Sequence, residues 1–253
     1  MKEQVQMGVN RTGIQMSPLD SSAMASDIGE LMPAKPESAS PVTILRSSYI
    51  AEAEPVGSVP VPGTLKGAFS TGASMLTGSS PQFLLDKLGE RLAFERTGTR
   101  LYDALITKVM AQQQNGVATL PLEKLAEIRE EEARHMEMVG RAIVSLGGDP
   151  TSMTPCADIA GVEALGLVQV LNDPRSTVMQ SLHAILVVEL TDNNGWEMLI
   201  MLAREQKHDA MADEFTVALE RERDHLQHVQ SWFQQAVLAG AAGKADAAAT
   251  PAH

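Results

Sequence analysis

The segment IREEEARHMEMV, residues 128–139, decides the fold together with ALERERDHLQHVQSW, residues 218–232. In both segments apolar residues recur every three or four positions, which predicts an amphipathic helix. The core-facing row of each helix is interrupted by Glu-x-x-His, at Glu132 with His135 and at Glu222 with His225. Residues three apart lie on one helical face, so each glutamate and its histidine should point into the core together.

The same periodicity predicts four long helices. They cover residues 82–114, 120–146, 174–204 and 209–238. Asp173 is the expected cap of the third helix and Pro174 its first residue. The first and last connections are short, which predicts two antiparallel hairpins. The long connection over 148–173 should cross the bundle and hold a short helix near 158–170.

The remaining segments lack this periodicity. Eight of the 13 prolines fall in residues 1–81. We therefore expect residues 1–80 to be an irregular, partly disordered extension, residues 81–240 to form the bundle, and residues 241–253 to be a disordered tail.

Composition excludes several classes of protein. A net charge of −12 argues against nucleic acid as a partner, because phosphate contacts need a basic surface. The single cysteine, Cys156, excludes a disulfide framework, an iron–sulfur cluster and a four-cysteine zinc site. No apolar run approaches the roughly 20 residues of a membrane-spanning helix. The first ten residues also lack the apolar core of a signal peptide, so we expect a cytoplasmic protein without a membrane partner.

The other two helices also carry acidic residues in their core-facing rows. The first helix supplies Glu95, followed seven residues later by Tyr102, and the third supplies Glu189, followed three residues later by Asp192. In antiparallel hairpins these positions and the two Glu-x-x-His pairs fall at similar heights along the bundle. The rows otherwise contain mainly apolar residues, such as Leu88, Leu92, Ile106, Val109, Leu125, Ile128, Val139, Leu182, Ile185, Trp196, Phe215, Val229 and Trp232.

Four carboxylates in a bundle core need compensation, because desolvation costs several kcal/mol per ion. Two divalent cations would balance four glutamates, and carboxylate with imidazole ligation suits iron or manganese. The predicted metal ligands are Glu95, Glu132, His135, Glu189, Glu222 and His225.

This order of motifs resembles the ferritin-like diiron carboxylate superfamily, and within it rubrerythrins and bacterioferritins. The resemblance covers about residues 82–239 and rests on Glu95, Glu132-Ala-Arg-His135, Glu189 and Glu222-Arg-Asp-His225. It implies an all-α, ferritin-like antiparallel four-helix bundle of two helical hairpins joined by a long crossover. The implied cofactor is a pair of iron ions, with two manganese ions or a mixed iron/manganese pair as alternatives.

The implied activity is redox chemistry on a small oxygen species, either peroxide or O2. Classical rubrerythrins carry a four-cysteine rubredoxin domain that a single cysteine excludes, so an unidentified electron donor must serve instead. Three alternatives stay open: a ferroxidase or iron-storage protein, which requires a closed homo-oligomer, peroxide dismutation as in manganese catalase, and a metal-free helical interaction protein.

Several further residues are expected near the predicted ligands or resemble them in sequence. Tyr102 is expected to hydrogen-bond beside the site or take part in redox chemistry. Asp192 is expected to join the metals, support a ligating histidine or carry a proton to the departing oxygen. Glu131 is expected on the solvated surface. A third Glu-x-x-His, Glu205 with His208, lies off the row at the predicted last turn, so we expect it to be a surface pair unrelated to metal.

Overall fold

The computed structural model describes residues 41–59, 81–114 and 120–241, together with residues 19, 22–24 and 26. The chain divides into two compact units, Met1–Glu54 and Pro55–His253. In the first unit, helix α1 spans Pro41–Glu52 and none of its residues is buried. A helix therefore lies within the extension that was expected to be irregular. Its first residue is a proline, which is tolerated in the first turn of a helix.

The second unit is a helical bundle. Its helices are α2, Pro81–Gln114; α3, Leu122–Ser145; α4, Pro155–Asn172; α5, Val178–Glu205; and α6, Asp209–Ala241. Helix α2 packs along α3, and α5 packs along α6, which confirms the two predicted hairpins. Helix α4 lies in the long connection between the hairpins and packs mainly against α2. Every element among the described residues is helical, so the all-α prediction is confirmed.

Two apolar clusters fill the bundle, one on each side of its middle. The first contains Leu101, Leu105, Leu125, Ile128, Leu182, Ile185 and Val229. The second contains Leu84, Leu88, Val139, Trp196, Leu199 and Phe215. Between them lies the layer where the helices carry their acidic residues and histidines. The apolar rows predicted from the sequence therefore form the core on either side of a buried polar layer.

The turn between α5 and α6 lies where it was predicted, over residues 206–208. The backbone N–H of His208 donates to the carbonyl of Ala203 at 2.8 Å, and that of Lys207 donates to Arg204 at 2.9 Å. These two bonds are the Schellman arrangement that closes a helix C-terminus. Lys207 supplies the left-handed residue, with φ of 62°, a position usually taken by glycine.

The predicted start of the third long helix at Pro174 is wrong. Helix α4 extends to Asn172, and the carboxylate of Asp173 accepts a bond from the Arg175 backbone N–H at 2.9 Å, which turns the chain. Helix α5 begins at Val178, where Thr177 and Gln180 form a reciprocal capping box. This capping box pairs the backbone N–H groups of Thr177 and Gln180, so the first turn of α5 forms there and not at Pro174.

The first long helix begins at Pro81 and the last ends at Ala241, where the helices were predicted to begin at residue 82 and end at residue 238. Helix α6 reaches Ala241, and the predicted tail beyond that residue lies outside the described residues. No helix among the described ranges is long and apolar enough to cross a membrane.

We predict that a chain shortened to begin at Pro55 keeps the helical bundle and its thermal midpoint, and loses only the helical signal of α1. The reason is that both apolar clusters lie within the unit Pro55–His253. A chain beginning at Pro81 also loses Val59, which packs against the second cluster, and should be about 1 kcal/mol less stable. Circular dichroism during thermal denaturation measures both effects. An unfolded Pro55 chain would contradict the prediction.

Candidate metal centre

All the predicted site residues lie in the buried middle layer of the bundle. Their exposed fractions are 5% or less for Glu95, Tyr102, Glu132, His135, Glu189, Asp192, Glu222 and His225. Helix α2 contributes Glu95 and Tyr102, α3 contributes Glu132 and His135, α5 contributes Glu189 and Asp192, and α6 contributes Glu222 and His225. The similar heights expected from the sequence are therefore found in the structure.

One half of the site is built from α2, α3 and α6. Glu95, His135 and Glu222 each present a ligand atom within 4.8 Å of the other two. His135 Nδ1 lies 2.5 Å from Glu222 Oε1, yet neither atom forms a hydrogen bond with a described residue. Two lone-pair-bearing atoms that converge without a hydrogen bond are the arrangement expected around a cation.

The other half uses α3 and α6. Glu132, Glu222 and His225 also place ligand atoms within 4.8 Å of one another. His225 Nδ1 lies 3.1 Å from Glu222 Oε2 and 3.4 Å from Glu132 Oε1. Glu222 belongs to both halves, because its Oε1 lies near His135 and its Oε2 lies near His225. The same carboxylate also groups with Asp192, Glu95 and Glu132 within 4.8 Å.

Glu131 takes part in the site, contrary to its predicted surface position. Its side chain is only 12% exposed, and its Oε2 lies 2.8 Å from His225 Nε2. A carboxylate can only accept, so Nε2–H of His225 donates to Glu131 and Nδ1 faces the cluster. Carboxylate partners of this kind fix the orientation of metal-binding histidines. The signal available in the sequence was its place in the run Glu130-Glu131-Glu132, beside a predicted ligand.

Glu189 lies beside the cluster rather than within its tightest groups. The Tyr102 hydroxyl donates a short hydrogen bond to Glu189 Oε1. The other oxygen, Oε2, is buried and has no hydrogen bond with a described residue. The predicted pairing of Tyr102 with the site therefore takes the form of a bond that fixes one oxygen of Glu189 and leaves the other available.

Arg91 was not predicted from the sequence, although it is buried against the site. Its Nη1 donates to the Asp192 carboxylate and to the Asp192 carbonyl, the latter at 3.0 Å. Its Nε lies 3.4 Å from Glu95 Oε1. Charge balance was the available signal, since a fifth buried carboxylate requires a cation and Arg91 lies one turn before Glu95. With Arg91 paired to Asp192, four glutamate charges are left for metal ions to balance.

Two further residues hold the site in register. The Asn193 side-chain amide donates to the carbonyls of Glu189 at 2.9 Å and Glu222 at 3.0 Å, which ties α5 to α6 at the level of the ligands. On α2, a Cβ at Gly98 would lie 2.3 Å from Glu132 Oε2. Glycine within a helix costs up to about 1 kcal/mol, and here it makes room for a carboxylate from α3.

Burial and mutual repulsion dominate the electrostatics of the site. The pKa values of Glu95, Glu189 and Glu222 lie well above their usual range, first because burial disfavours the charged form and then because neighbouring carboxylates repel. Burial lowers the pKa of His135 to about 4. Burial would also lower the pKa of His225, but Glu132, Glu189 and Glu131 raise it to about 9.

These properties fit a metal centre better than a protein-only polar core. Among the described residues, buried oxygen atoms of Glu95, Glu132, Glu189 and Glu222 lack hydrogen-bond partners. Buried polar atoms are normally paired, and an unpaired carboxylate oxygen is costly. Imidazole nitrogen and carboxylate oxygen are the donor set that iron and manganese accept, so the residues present fit such ions.

The third Glu-x-x-His pair lies apart from this layer. Glu205 is the last residue of α5 and is exposed, and His208 lies in the turn before α6. Neither belongs to a ligand group found among the described residues. The predicted position of this pair is confirmed, and its irrelevance to metal binding stays a prediction.

The bundle and its site define a class of helical proteins with buried carboxylate and histidine ligands. A comparison with family models matches the chain to the ferritin-like domain over residues 86–238. The match covers more than half of the chain, which therefore belongs to the ferritin-like family, as its motifs predicted. No curated protein and no solved structure matches the chain.

We predict about two metal ions per chain after loading with iron or manganese, because the two groups that contain a histidine share Glu222. His135→Ala and His225→Ala should each lower the metal content, since each removes the imidazole from one group. The double change Glu205→Ala with His208→Ala is the matched control and should leave metal content unchanged. Elemental analysis measures the outcome. Equal losses in control and ligand variants, or no metal in the unchanged chain, would contradict the prediction.

We further predict that metal loading at pH 7 releases protons. In the metal-free chain His225 has a pKa of about 9, so its imidazole holds a proton at pH 7 that a metal must displace, and the raised pKa values of Glu95 and Glu222 shift these carboxyl groups towards the protonated form. Metal affinity should therefore rise with pH up to about 9. Calorimetry in buffers of different ionisation enthalpy counts the protons released.

The substitution Glu131→Gln tests, by the same calorimetry, whether the Glu131 carboxylate supports His225 as a metal ligand. Loss of the carboxylate should lower the pKa of His225 and weaken metal binding about 10- to 100-fold. Glu130→Gln is the control, because the Glu130 side chain is 60% exposed and pairs with Arg129. A metal affinity that does not change with pH, or equal effects of the two substitutions, would argue against the assigned roles.

Proposed function

We propose that this chain carries a dinuclear iron centre, with manganese or a mixed pair as alternatives, and that it reduces peroxide or uses O2 as an oxidant. The order of its motifs resembles that of rubrerythrins and bacterioferritins. The observation that carries the proposal is the convergence of the two histidines of the Glu-x-x-His pairs, His135 from α3 and His225 from α6, on the two oxygen atoms of Glu222. This places one imidazole and one further glutamate on each side of a shared carboxylate.

The depth of the site supports a small substrate. Glu95, Glu132, Glu222 and His225 are each exposed by 1% or less. Two apolar clusters enclose the layer along the bundle axis. A large substrate could not contact the ligands without separating helices, whereas peroxide and O2 are small enough to enter a packed bundle.

When bound, the metal pair supplies the change of oxidation state that the chain's side chains lack. The protein groups hold the ligands in place. Glu131 fixes the ring of His225 so that Nδ1 faces inward, and Tyr102 fixes Glu189 Oε1 while Oε2 stays available. Asn193 keeps Glu189 and Glu222 at one height by joining their helices.

Arg91 and Asp192 set the net charge that the site presents to metal ions. Arg91 binds the Asp192 carboxylate and also contacts Glu95, so one guanidinium spans α2 and α5 beside the ligands. From the sequence, Asp192 was expected to join the metals, support a ligating histidine or carry a proton. Its pairing with Arg91 favours a ligand set whose net charge balances two divalent ions. The Asp192 carboxylate also lies beside the ligands, where its negative charge can stabilise a higher metal charge.

Reduction of peroxide to water consumes electrons and protons, and we propose that a separate electron donor supplies the electrons. Peroxide dismutation would instead release O2 without a donor, and an oxygen electrode distinguishes the two. Iron storage would require a closed homo-oligomer, which light scattering of the iron-loaded protein detects. Peroxide consumption that depends on added reductant, by a particle too small to be a shell, is the result expected here.

We predict that Asp192→Asn keeps most of the metal but slows oxidation of the reduced centre by peroxide or O2. The amide can still accept from Arg91 and fill the same space, but it removes the negative charge within 4.8 Å of the other ligand atoms. Stopped-flow oxidation of the reduced protein, beside metal analysis, measures the effect. Asp224→Asn is the control, because that side chain is 59% exposed. Unchanged kinetics would remove Asp192 from the mechanism, and lost metal would make it a ligand.

A further inference from the structure

A second feature of the bundle is a cavity of about 530 Å³ between α2, α4 and α5. Its walls are mainly apolar and include Phe83, Phe94, Ala160, Met198, Met201 and Leu202. This volume lies in the range of small-molecule sites, which combine apolar walls with a few fixed polar groups. The cavity is distinct from the metal ligands, none of which lines it.

The fixed polar group of this cavity is Arg91. Its side chain lines the cavity and is only 5% exposed. Nη1 and Nε face Asp192 and Glu95, whereas Nη2 makes no hydrogen bond with any residue that the structure describes. The ring of Phe94 lies 4.4 Å from Cζ and holds the guanidinium in place.

Gly195 keeps this donor accessible from α5. A Cβ at Gly195 would lie 2.7 Å from Arg91 Nη1 and 3.3 Å from Nη2. Any side chain there would press on the guanidinium and cover it. The absence of a side chain at Gly195, which itself lines the cavity, leaves the Nη2 edge of Arg91 uncovered.

The charges around the cavity favour a neutral ligand. Lys87 is already paired with Glu90 at 2.5 Å, and Arg91 is paired with Asp192. Glu163 and Glu205 also line the cavity, and both are exposed, so they stand on its solvent side. An anionic ligand would be repelled by these carboxylates. Neither Lys87 nor Arg91 would compensate for this, because each is already paired with a carboxylate of the protein.

We propose that this cavity binds a neutral, mainly apolar organic molecule that presents a carbonyl or similar oxygen to Arg91 Nη2. Apolar walls supply the binding energy, and one hydrogen bond from a buried guanidinium supplies orientation. Binding of this kind does not require the metal centre to be redox active. Failure of the proposed function and failure of this site can therefore be observed separately.

A matched pair of probes tests the proposal on the full, metal-free chain. The first probe is prodan, a neutral dimethylaminonaphthalene with a propionyl ketone group. The second is the same naphthalene with a propyl group in place of the propionyl group, so it lacks only the ketone oxygen. We expect saturable, blue-shifted fluorescence with prodan, and about tenfold weaker binding of the ketone-free probe, because it cannot accept from Arg91. An absence of saturable binding, or equal affinity for the two probes, would overturn the proposal.

Two tryptophan variants test whether the probe binds in the cavity. Met198→Trp should weaken prodan binding about tenfold or more, because it fills space between apolar walls. Val217→Trp on α6 should leave binding unchanged, because Val217 lies outside the cavity. It is a matched control, since Val217 is 58% exposed and Met198 is 54% exposed. Thr191→Trp, also exposed in the lining, replaces Met198→Trp if that variant does not fold. Equal binding by the cavity and control variants would show that the probe binds elsewhere.

Discussion

The burial of five carboxylates in one layer of a helical bundle is the constraint on which the rest of the structure depends. Each carboxylate removed from water costs several kcal/mol unless a cation or a set of donors replaces the lost hydration. Arg91 compensates Asp192, and the Tyr102 hydroxyl donates to Glu189. Several glutamate oxygens still lack a hydrogen-bond partner among the described residues, which is why the layer fits metal ions.

The apolar clusters on either side of this layer provide the stability that the layer itself lacks. Helices such as α2 and α6, with 34 and 33 residues, are long enough to bury apolar side chains on both sides of the ligands. This arrangement fixes the ligands on rigid elements rather than on loops, so their spacing follows from helix packing. The cost of a buried polar layer is offset by packing above and below it.

The ligand layer and the separate cavity meet at one residue. Arg91 contacts Asp192 and Glu95 on its inner side and lines the cavity on the other. A guanidinium can do this because its donors point in several directions within one plane. The same side chain therefore balances charge at the proposed metal centre and presents a donor to the cavity between α2, α4 and α5.

Much of the bundle was predictable because its signals are periodic and local. Apolar spacing gave the long helices, and Glu-x-x-His gave ligand pairs whose common face follows from helical geometry alone. The start of α5 was missed because Asp173-Pro174 and Thr177 both look like helix starts. The choice between them depends on the bond from Arg175 to Asp173 and on the capping box with Gln180.

The sequence by itself determined the class of fold, the six principal ligand candidates and their common level, since each follows from the helical repeat and from chain order. Only the tertiary structure decided which groups support them. Arg91, Glu131 and Asn193 act across helices, on Asp192, His225 and Glu222 respectively, through contacts between residues 29 to 101 positions apart. Such contacts depend on the rotation and spacing of packed helices, which no local pattern in the sequence records.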